Sequence, residues 1–159
     1  MIRLIVLICI SWMVTSQSNK LLAQEVNAIQ WISFEQLDDS LAKKPKKVFI
    51  DFYTEWCTYC KKMDRVVFTK SSIIEVLNTE YYAVRFDAET TESIEFGGRL
   101  FKNYEIGKSR TPVHEIARLL ATNNNHFTPP AMVILDEDFN VEQRHFEYLD
   151  SKSLFKILE

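Results

Sequence analysis

Hydrophobic and polar positions along the chain group into short runs that predict strands alternating with helices. Residues 48–53 form an almost continuous apolar run that is interrupted by one carboxylate, Asp51. Such a run is typical of a central strand covered on both faces. Similar runs predict strands near residues 28–32, over 82–87, over 131–135 and, with alternating polarity, over 141–146.

Apolar residues at helical spacing fill the intervals between these strands. Ser33 and Gln36 form a capping-box pattern and predict a helix that ends before Pro45. The helix that follows the central strand has its inward stripe at Cys60, Met63 and Val67. Residues 72–75 form a second capping-box pattern, which predicts a helix ending near Leu77.

The second half of the chain predicts a hairpin and two more helices. Gly97 and Gly98 sit between short apolar runs inside the irregular segment 90–110, which indicates a hairpin. Residues 111–112, a threonine followed by a proline, predict the start of a helix, and Asp150 or Ser151 caps the last one. The resulting order, β-α-β-α-(α)-β-hairpin-α-β-β-α, predicts a single layered α/β domain that ends in an antiparallel pair of strands.

The first residues predict export rather than fold. Residues 4–14 are apolar and follow Arg3. This run is about half the ~20 residues that span a bilayer, and it has the length of the apolar part of a secretory signal peptide. We expect a signal peptide over residues 1–23, cleaved between 16 and 24, and one domain over 24–159. The alternatives are an uncleaved membrane anchor and a lipoprotein modified at Cys9.

The charge balance narrows the partners. The chain carries 22 acidic and 19 basic side chains, so it is a poor electrostatic match to nucleic acid. The lysine-rich run at residues 43–47 is interpreted as a solvated turn rather than a partner site. No stable membrane anchor is expected after cleavage of the signal.

Cys57 and Cys60 are the cysteines that remain once Cys9 leaves with the signal. A loop this short adds little stability when it is closed by a disulfide, so the pair is predicted to react. The first cysteine of such a pair lies at a helix N-terminus, where the dipole and free N–H groups favour the thiolate. Cys57 is therefore the predicted attacking thiol, supported by Lys61 and Lys62. Cys60 is the predicted resolving thiol, because it lies one turn further on and can attack a mixed disulfide.

A metal site is the alternative use of such a pair. Zinc would need two further ligands, and the histidines, His114, His126 and His145, are dispersed along the chain. We expect these histidines at the surface or at the edge of the core. No metal and no cofactor is expected beyond the redox-active disulfide Cys57–Cys60.

Residues 48–63 read Val-Phe-Ile-Asp-Phe-Tyr-Thr-Glu-Trp-Cys-Thr-Tyr-Cys-Lys-Lys-Met. This run resembles the active-site strand and helix of the thioredoxin superfamily, and most of all its exported bacterial members. Residues 127–135 resemble the proline-led strand of the same family. The resemblance implies a thioredoxin-like three-layer α/β fold: a central mixed sheet flanked by helices, with an inserted hairpin or loop near 90–110.

The resemblance also implies roles for single residues. Asp51 matches the buried acid that relays a proton to or from the resolving thiol. Trp56 matches the tryptophan that flanks the reactive sulfur, and Pro130 matches the cis-proline that faces the disulfide. The sequence agrees about Asp51, since burial raises a carboxyl pKa towards the range useful for proton transfer. The alternatives are a paired or hydrated Asp51 at a strand end and a Trp56 that only packs at the rim.

Thr128 and Pro129 complete the predicted substrate-binding residues, with Trp56 and Pro130. Pro129 departs from the family pattern: it has no N–H, so one hydrogen bond to a docked substrate backbone would be missing. In an alternative register, Pro129 itself is the cis-proline and Thr128 precedes it. Residues 58–59, Thr-Tyr, match neither the reducing nor the oxidising dipeptides of the family, which leaves the direction of reaction open.

These observations predict an extracytoplasmic thiol–disulfide oxidoreductase of the protein-disulfide reductase type, placed in the bacterial periplasm. It would reduce or exchange protein disulfides. The expected partners are protein thiols and disulfides, together with a membrane electron donor. The alternative is a binding module of the same fold that does not turn over, or a protein that handles zinc or copper.

Overall fold

The computed structural model describes residues 27–159, so the predicted signal peptide and its cleavage site lie outside the described residues. In chain order the elements are α1 Phe34–Lys43, β1 Lys47–Tyr53, α2 Thr58–Val66, α3 Ser71–Glu80, β2 Tyr81–Asp87, β3 Ile94–Phe96, β4 Arg99–Phe101, α4 Glu115–Leu120, β5 Thr122–Asn123, β6 His126–Phe127, β7 Ala131–Leu135, β8 Val141–His145 and α5 Ser151–Leu158. Among the helices of this range, none has the length and apolar character needed to cross a bilayer.

The central sheet has four strands in the order β2-β1-β7-β8. β1 pairs in parallel with β2 and antiparallel with β7, and β8 pairs antiparallel with β7. The mixed α/β architecture predicted from the sequence is therefore confirmed. In this register Asp51 lies opposite Arg85 on β2 and opposite Met132 on β7.

Alternation along β1 divides the core into two parts. Val48, Ile50 and Phe52 belong to the apolar cluster that contains residues of α1, α4 and β3; we call their side of the sheet the hairpin face. Phe49 belongs to the cluster that contains residues of α2, α3 and α5. Because strand side chains alternate, Asp51 shares this second side, which we call the dithiol face.

Two predictions for the first half of the chain differ from the structure. The segment predicted as a strand at 28–32 makes a single bridge, from Ile32 to Val84. Asn78 explains this, because its side chain accepts from Gln30 N at 2.8 Å and donates to Ala28 O at 3.0 Å, in the place of a neighbouring strand. The capping box predicted at 72–75 is wrong as well. Helix α3 begins at Ser71 and runs to Glu80, and its N-cap residue makes no side-chain hydrogen bond.

The helix predicted to start at 111–112 begins instead at Glu115. Its N-cap is His114, whose Nδ1 accepts from Ile116 N at 3.2 Å. His114 is fully buried rather than at the surface or core edge, and its backbone N–H donates to Ala88 O. Burial lowers the pKa of His114, in keeping with a neutral ring that accepts a cap bond.

Two hairpins flank this helix. The predicted β3–β4 hairpin is confirmed, and Gly97 and Gly98 turn it at φ of 58° and 70°. The second hairpin, β5–β6, was not predicted. Asn124 and Asn125 turn it at φ of 49° and 63°, a region that asparagine tolerates better than most residues.

Candidate active site

The dithiol lies where β1 ends and α2 begins. Cys57 and Cys60 are joined by a disulfide, with an S–S distance of 2.02 Å and Cα atoms 5.3 Å apart. Cys57 is the N-cap residue of α2, and its sulfur accepts from Cys60 N at 3.0 Å. The first turn of the helix therefore directs one of its free N–H groups at this sulfur, which would favour a thiolate here.

In the disulfide form the two cysteines do not differ in solvent exposure, since each is 3% exposed. The surrounding surface does distinguish them. A cleft of about 290 Å³ reaches Cys60, and its walls include Tyr53, Thr54, Asp64 and Arg85. Cys57 is set apart by its cap position at the helix N-terminus.

Asp51 is buried beneath this region, on the dithiol face, and is 1% exposed. Neither of its carboxylate oxygens has a hydrogen-bond partner. Burial raises the pKa of Asp51 to about 7, because the loss of water outweighs the attraction of Arg85, and Asp64 raises it further. The alternative of a hydrated strand-end carboxylate does not fit this burial.

Arg85 and Asp64 join the site, and the sequence pattern did not identify either. Arg85 Nη2 donates to Asp64 Oδ2 at 2.7 Å, whereas Arg85 Nε lies 3.6 Å from Asp51 Oδ2, too far for a hydrogen bond. The Arg85 guanidinium also lies over the Tyr53 ring, 4.5 Å from its centroid. Arg85 stands opposite Asp51 in the sheet, a signal that becomes visible only once strands β1 and β2 are paired in register.

Trp56 is 57% exposed beside Cys57, yet its indole is held in place. Its Nε1–H donates to both carboxylate oxygens of Glu89, at 3.0 Å each. The Glu89 backbone N–H in turn donates to Asp87 Oδ1 at 3.0 Å, just after β2 ends. Glu89 was not identified from the sequence, since it comes near Trp56 only through the parallel pairing of β1 with β2.

The predicted substrate-binding loop leads into β7. The peptide bond between Pro129 and Pro130 is cis, as expected for the register in which Pro130 is the cis-proline. Thr128 is exposed, Pro129 is half-buried and Pro130 is buried. Tyr59, which lies between the two cysteines in the sequence, is 58% exposed, and its ring centroid lies 5.9 Å from that of Tyr148.

The two lysines that follow Cys60 occupy different surroundings. Lys61 lines the Cys60 cleft, while the Lys62 ammonium lies over the Tyr148 ring, 4.4 Å from its centroid. Across residues 27–159, no group of three or more His, Cys, Asp and Glu side chains is placed to hold a metal ion. His126 is exposed and His145 is half-buried.

This arrangement has the parts that thiol–disulfide exchange requires. A sulfur at a helix N-terminus can carry negative charge, and a second sulfur one turn away can displace it from a mixed disulfide. A buried carboxyl group with a pKa near neutrality can take and return a proton.

Comparison with known proteins supports the same fold. Residues 34–159 match the thioredoxin-like domain family. No curated protein matches the sequence.

Solved structures with a similar fold include three that cover most of this chain. The structure of the DsbH oxidoreductase is 16% identical, with 91% of this chain and 92% of that one aligned at a TM-score of 0.56. The oxidised C-terminal domain of DsbD from Neisseria meningitidis is 16% identical, with 77% and 87% aligned at 0.51. A thioredoxin from Thermus thermophilus is 18% identical, with 82% and 85% aligned at 0.58. At such identities the likeness establishes the fold, and together with the match over residues 34–159 it means that the chain belongs to the thioredoxin-like domain family.

Proposed function

We propose that this protein is an extracytoplasmic thiol–disulfide oxidoreductase that reduces or exchanges protein disulfides through Cys57 and Cys60. The observation that carries the proposal is the position of Cys57, whose sulfur caps the N-terminus of α2 and accepts the Cys60 N–H. A thiol whose role was only structural would have no need of this position, because a disulfide across so short a loop adds little stability.

The reaction follows from the site. The Cys57 thiolate attacks one sulfur of a substrate disulfide, forms a mixed disulfide and releases the other substrate sulfur as a thiolate, which then takes up a proton. Cys60 gives its proton to Asp51, and the Cys60 thiolate attacks the Cys57 sulfur. The substrate leaves with both sulfurs reduced, and the Cys57–Cys60 disulfide holds the oxidising equivalent until an external dithiol reduces it.

The proposal includes a location, the periplasm, and an electron donor. The apolar run at residues 4–14 supports export, and export would place the dithiol in the periplasm. There the disulfide needs a donor of two electrons, for which a membrane dithiol protein is the proposed source. Of the similar folds, one is named as the DsbH oxidoreductase and another as the C-terminal domain of DsbD in its oxidised form.

Reduction of insulin by dithiothreitol tests the proposed activity. The protein should accelerate the reaction, and Cys57→Ser should return it to the uncatalysed rate. Cys60→Ser should trap a mixed disulfide, visible by non-reducing electrophoresis, and Ile50→Val serves as a control that should leave the rate unchanged. A wild-type protein that binds reduced partners but leaves the insulin rate unchanged would be the non-catalytic binding module instead.

A further inference from the structure

Arg85 lies between two carboxylates and engages them unequally. Its Nη2 donates to Asp64 at 2.7 Å, and its Nε stops 3.6 Å from Asp51. Asp64 is half-buried on α2, four residues after Cys60, so it projects from the same side of the helix. Cation–π contact with the Tyr53 ring at 4.5 Å further fixes the guanidinium.

We propose that Asp64 is a positioning residue that sets the proton affinity of Asp51 by holding the Arg85 guanidinium to itself, beyond hydrogen-bond reach of Asp51. This inference rests on the proposed function, in which Asp51 exchanges a proton with Cys60. Asp64 acts on Asp51 through charge. When Asp51 is protonated, Arg85 and Asp64 balance each other. When Asp51 ionises, two carboxylates share one guanidinium in a buried site, which favours return of the proton.

The groups that surround Asp51 come from its own strand, from the two neighbouring strands and from the helix α2. Across the sheet, Asp51 faces Arg85 on β2 and the uncharged Met132 on β7. From the helix side, Lys61 and Asp64 of α2 line the same cleft as Arg85, together with Glu55 just before the helix. Cys57 and Cys60 do not titrate in the disulfide form. Tyr53 is the remaining titratable neighbour on its own strand, and burial raises the pKa of its hydroxyl, so this group stays neutral.

The raised pKa of Arg85 is consistent with a lasting hydrogen bond between its guanidinium and Asp64. Burial alone would lower the pKa of this guanidinium, but the hydrogen bond to Asp64 and the charge of Asp51 outweigh burial and raise it. Asp64→Asn removes the charge that competes for Arg85. The guanidinium, which already lies 3.6 Å from Asp51, is then free to move into hydrogen-bond distance, and this strengthens its ion pair with the ionised form of Asp51.

The test is a carboxyl titration of Asp51 in the full chain by ¹³C NMR, with the signal assigned from Asp51→Asn. The disulfide form is used, without substrate, so the result does not depend on catalysis. Asp64→Asn should move the Asp51 midpoint at least about one pH unit lower, the size expected for a carboxylate gaining a neighbouring guanidinium. Asp64→Glu, which keeps the charge, should stay near wild type, and so should the control Asp87→Asn.

A second background shows whether Asp64 acts through Arg85. In Arg85→Met, or in Arg85→Lys where the first variant fails to fold, Asp64→Asn should shift the Asp51 midpoint by less than in wild type. An unchanged or raised midpoint in Asp64→Asn, or an equal shift in both backgrounds, overturns the proposal. A protein without insulin reductase activity would instead refute the proposed function and leave this titration standing.

Discussion

On the hairpin face of β1, Val48, Ile50 and Phe52 join an apolar cluster, whereas on the dithiol face the neighbouring Asp51 is buried without a hydrogen-bond partner. A buried carboxylate without a hydrogen-bond partner lowers the free energy of unfolding, and an apolar residue of similar volume would raise it. One strand therefore supplies a face that only packs and a face that also holds a proton. Stability and chemistry are thus assigned to consecutive residues of the same strand.

Replacement of Asp51 by asparagine should have the largest effect on the dithiol face. Asp51→Asn keeps the shape but cannot accept the Cys60 proton, so resolution of the mixed disulfide should slow by about 10²–10⁴-fold, the usual contribution of a general base. Stopped-flow measurement of the resolution step between pH 6 and 9 provides the check.

Ile50→Val on the opposite face is the matched control. It should lower the free energy of unfolding by about 0.5–1.5 kcal/mol and leave the rate of resolution and its pH profile unchanged. If Asp51→Asn resolves the mixed disulfide at the wild-type rate and with the wild-type pH profile, Asp51 is structural, and the two faces differ only in composition.

The burial of Asp51 on the dithiol face should also make the free energy of unfolding depend on pH. The folded pKa of Asp51 is raised from 3.8 to about 7, so between these pH values the unfolded chain releases a proton that the folded chain retains. The contribution of Asp51 is therefore fully present below about pH 4 and is lost as the pH rises to about 7. The loss amounts to about 4 kcal/mol at 1.36 kcal/mol per pH unit.

Urea denaturation of the disulfide form from pH 4 to 8 measures this loss as the difference between wild type and Asp51→Asn. The difference isolates Asp51 from groups such as Asp136 and Asp150, whose pKa is lowered by hydrogen bonds from nearby backbone N–H groups and whose contributions have the opposite sign. Parallel curves for the two proteins would contradict a raised pKa.

The sequence predicted the dithiol face in part. Asp51 could be predicted as a buried acid because it interrupts an apolar run, and Cys57 as a helix cap because it follows a strand and precedes a helical stripe. Arg85 and Glu89 could not be predicted, because they reach Asp51 and Trp56 through the register of β1 with β2. The start of α4 was misplaced for a related reason: His114 caps it only because tertiary packing buries its ring.

The two thiols of the dithiol face should also differ in reactivity. In the reduced protein at neutral pH, Cys57 should be alkylated by iodoacetamide at least about tenfold faster than Cys60, because its sulfur caps α2, where the helix dipole favours the thiolate. Quenched labelling followed by peptide mass spectrometry measures both rates in one sample. Equal rates, or faster labelling of Cys60, would reverse the assigned roles.

The smallest expected effect concerns the loop that leads into β7. A substrate backbone lying in extended form along this loop would normally accept a hydrogen bond from the residue before Pro130, and Pro129 has no N–H to donate. One hydrogen bond contributes about 0.5–1.5 kcal/mol, equivalent to about two- to tenfold in affinity. Pro129→Thr should therefore improve reduction of peptide disulfides by up to this factor. Small disulfides, which are too short to lie along the loop, should be reduced at the wild-type rate. Comparison of kcat/KM for a cystine-bridged peptide and for a small aromatic disulfide separates the two cases. An equal gain with both substrates would trace the effect to the dithiol rather than to docking, and no gain with the peptide would mean that substrates dock elsewhere.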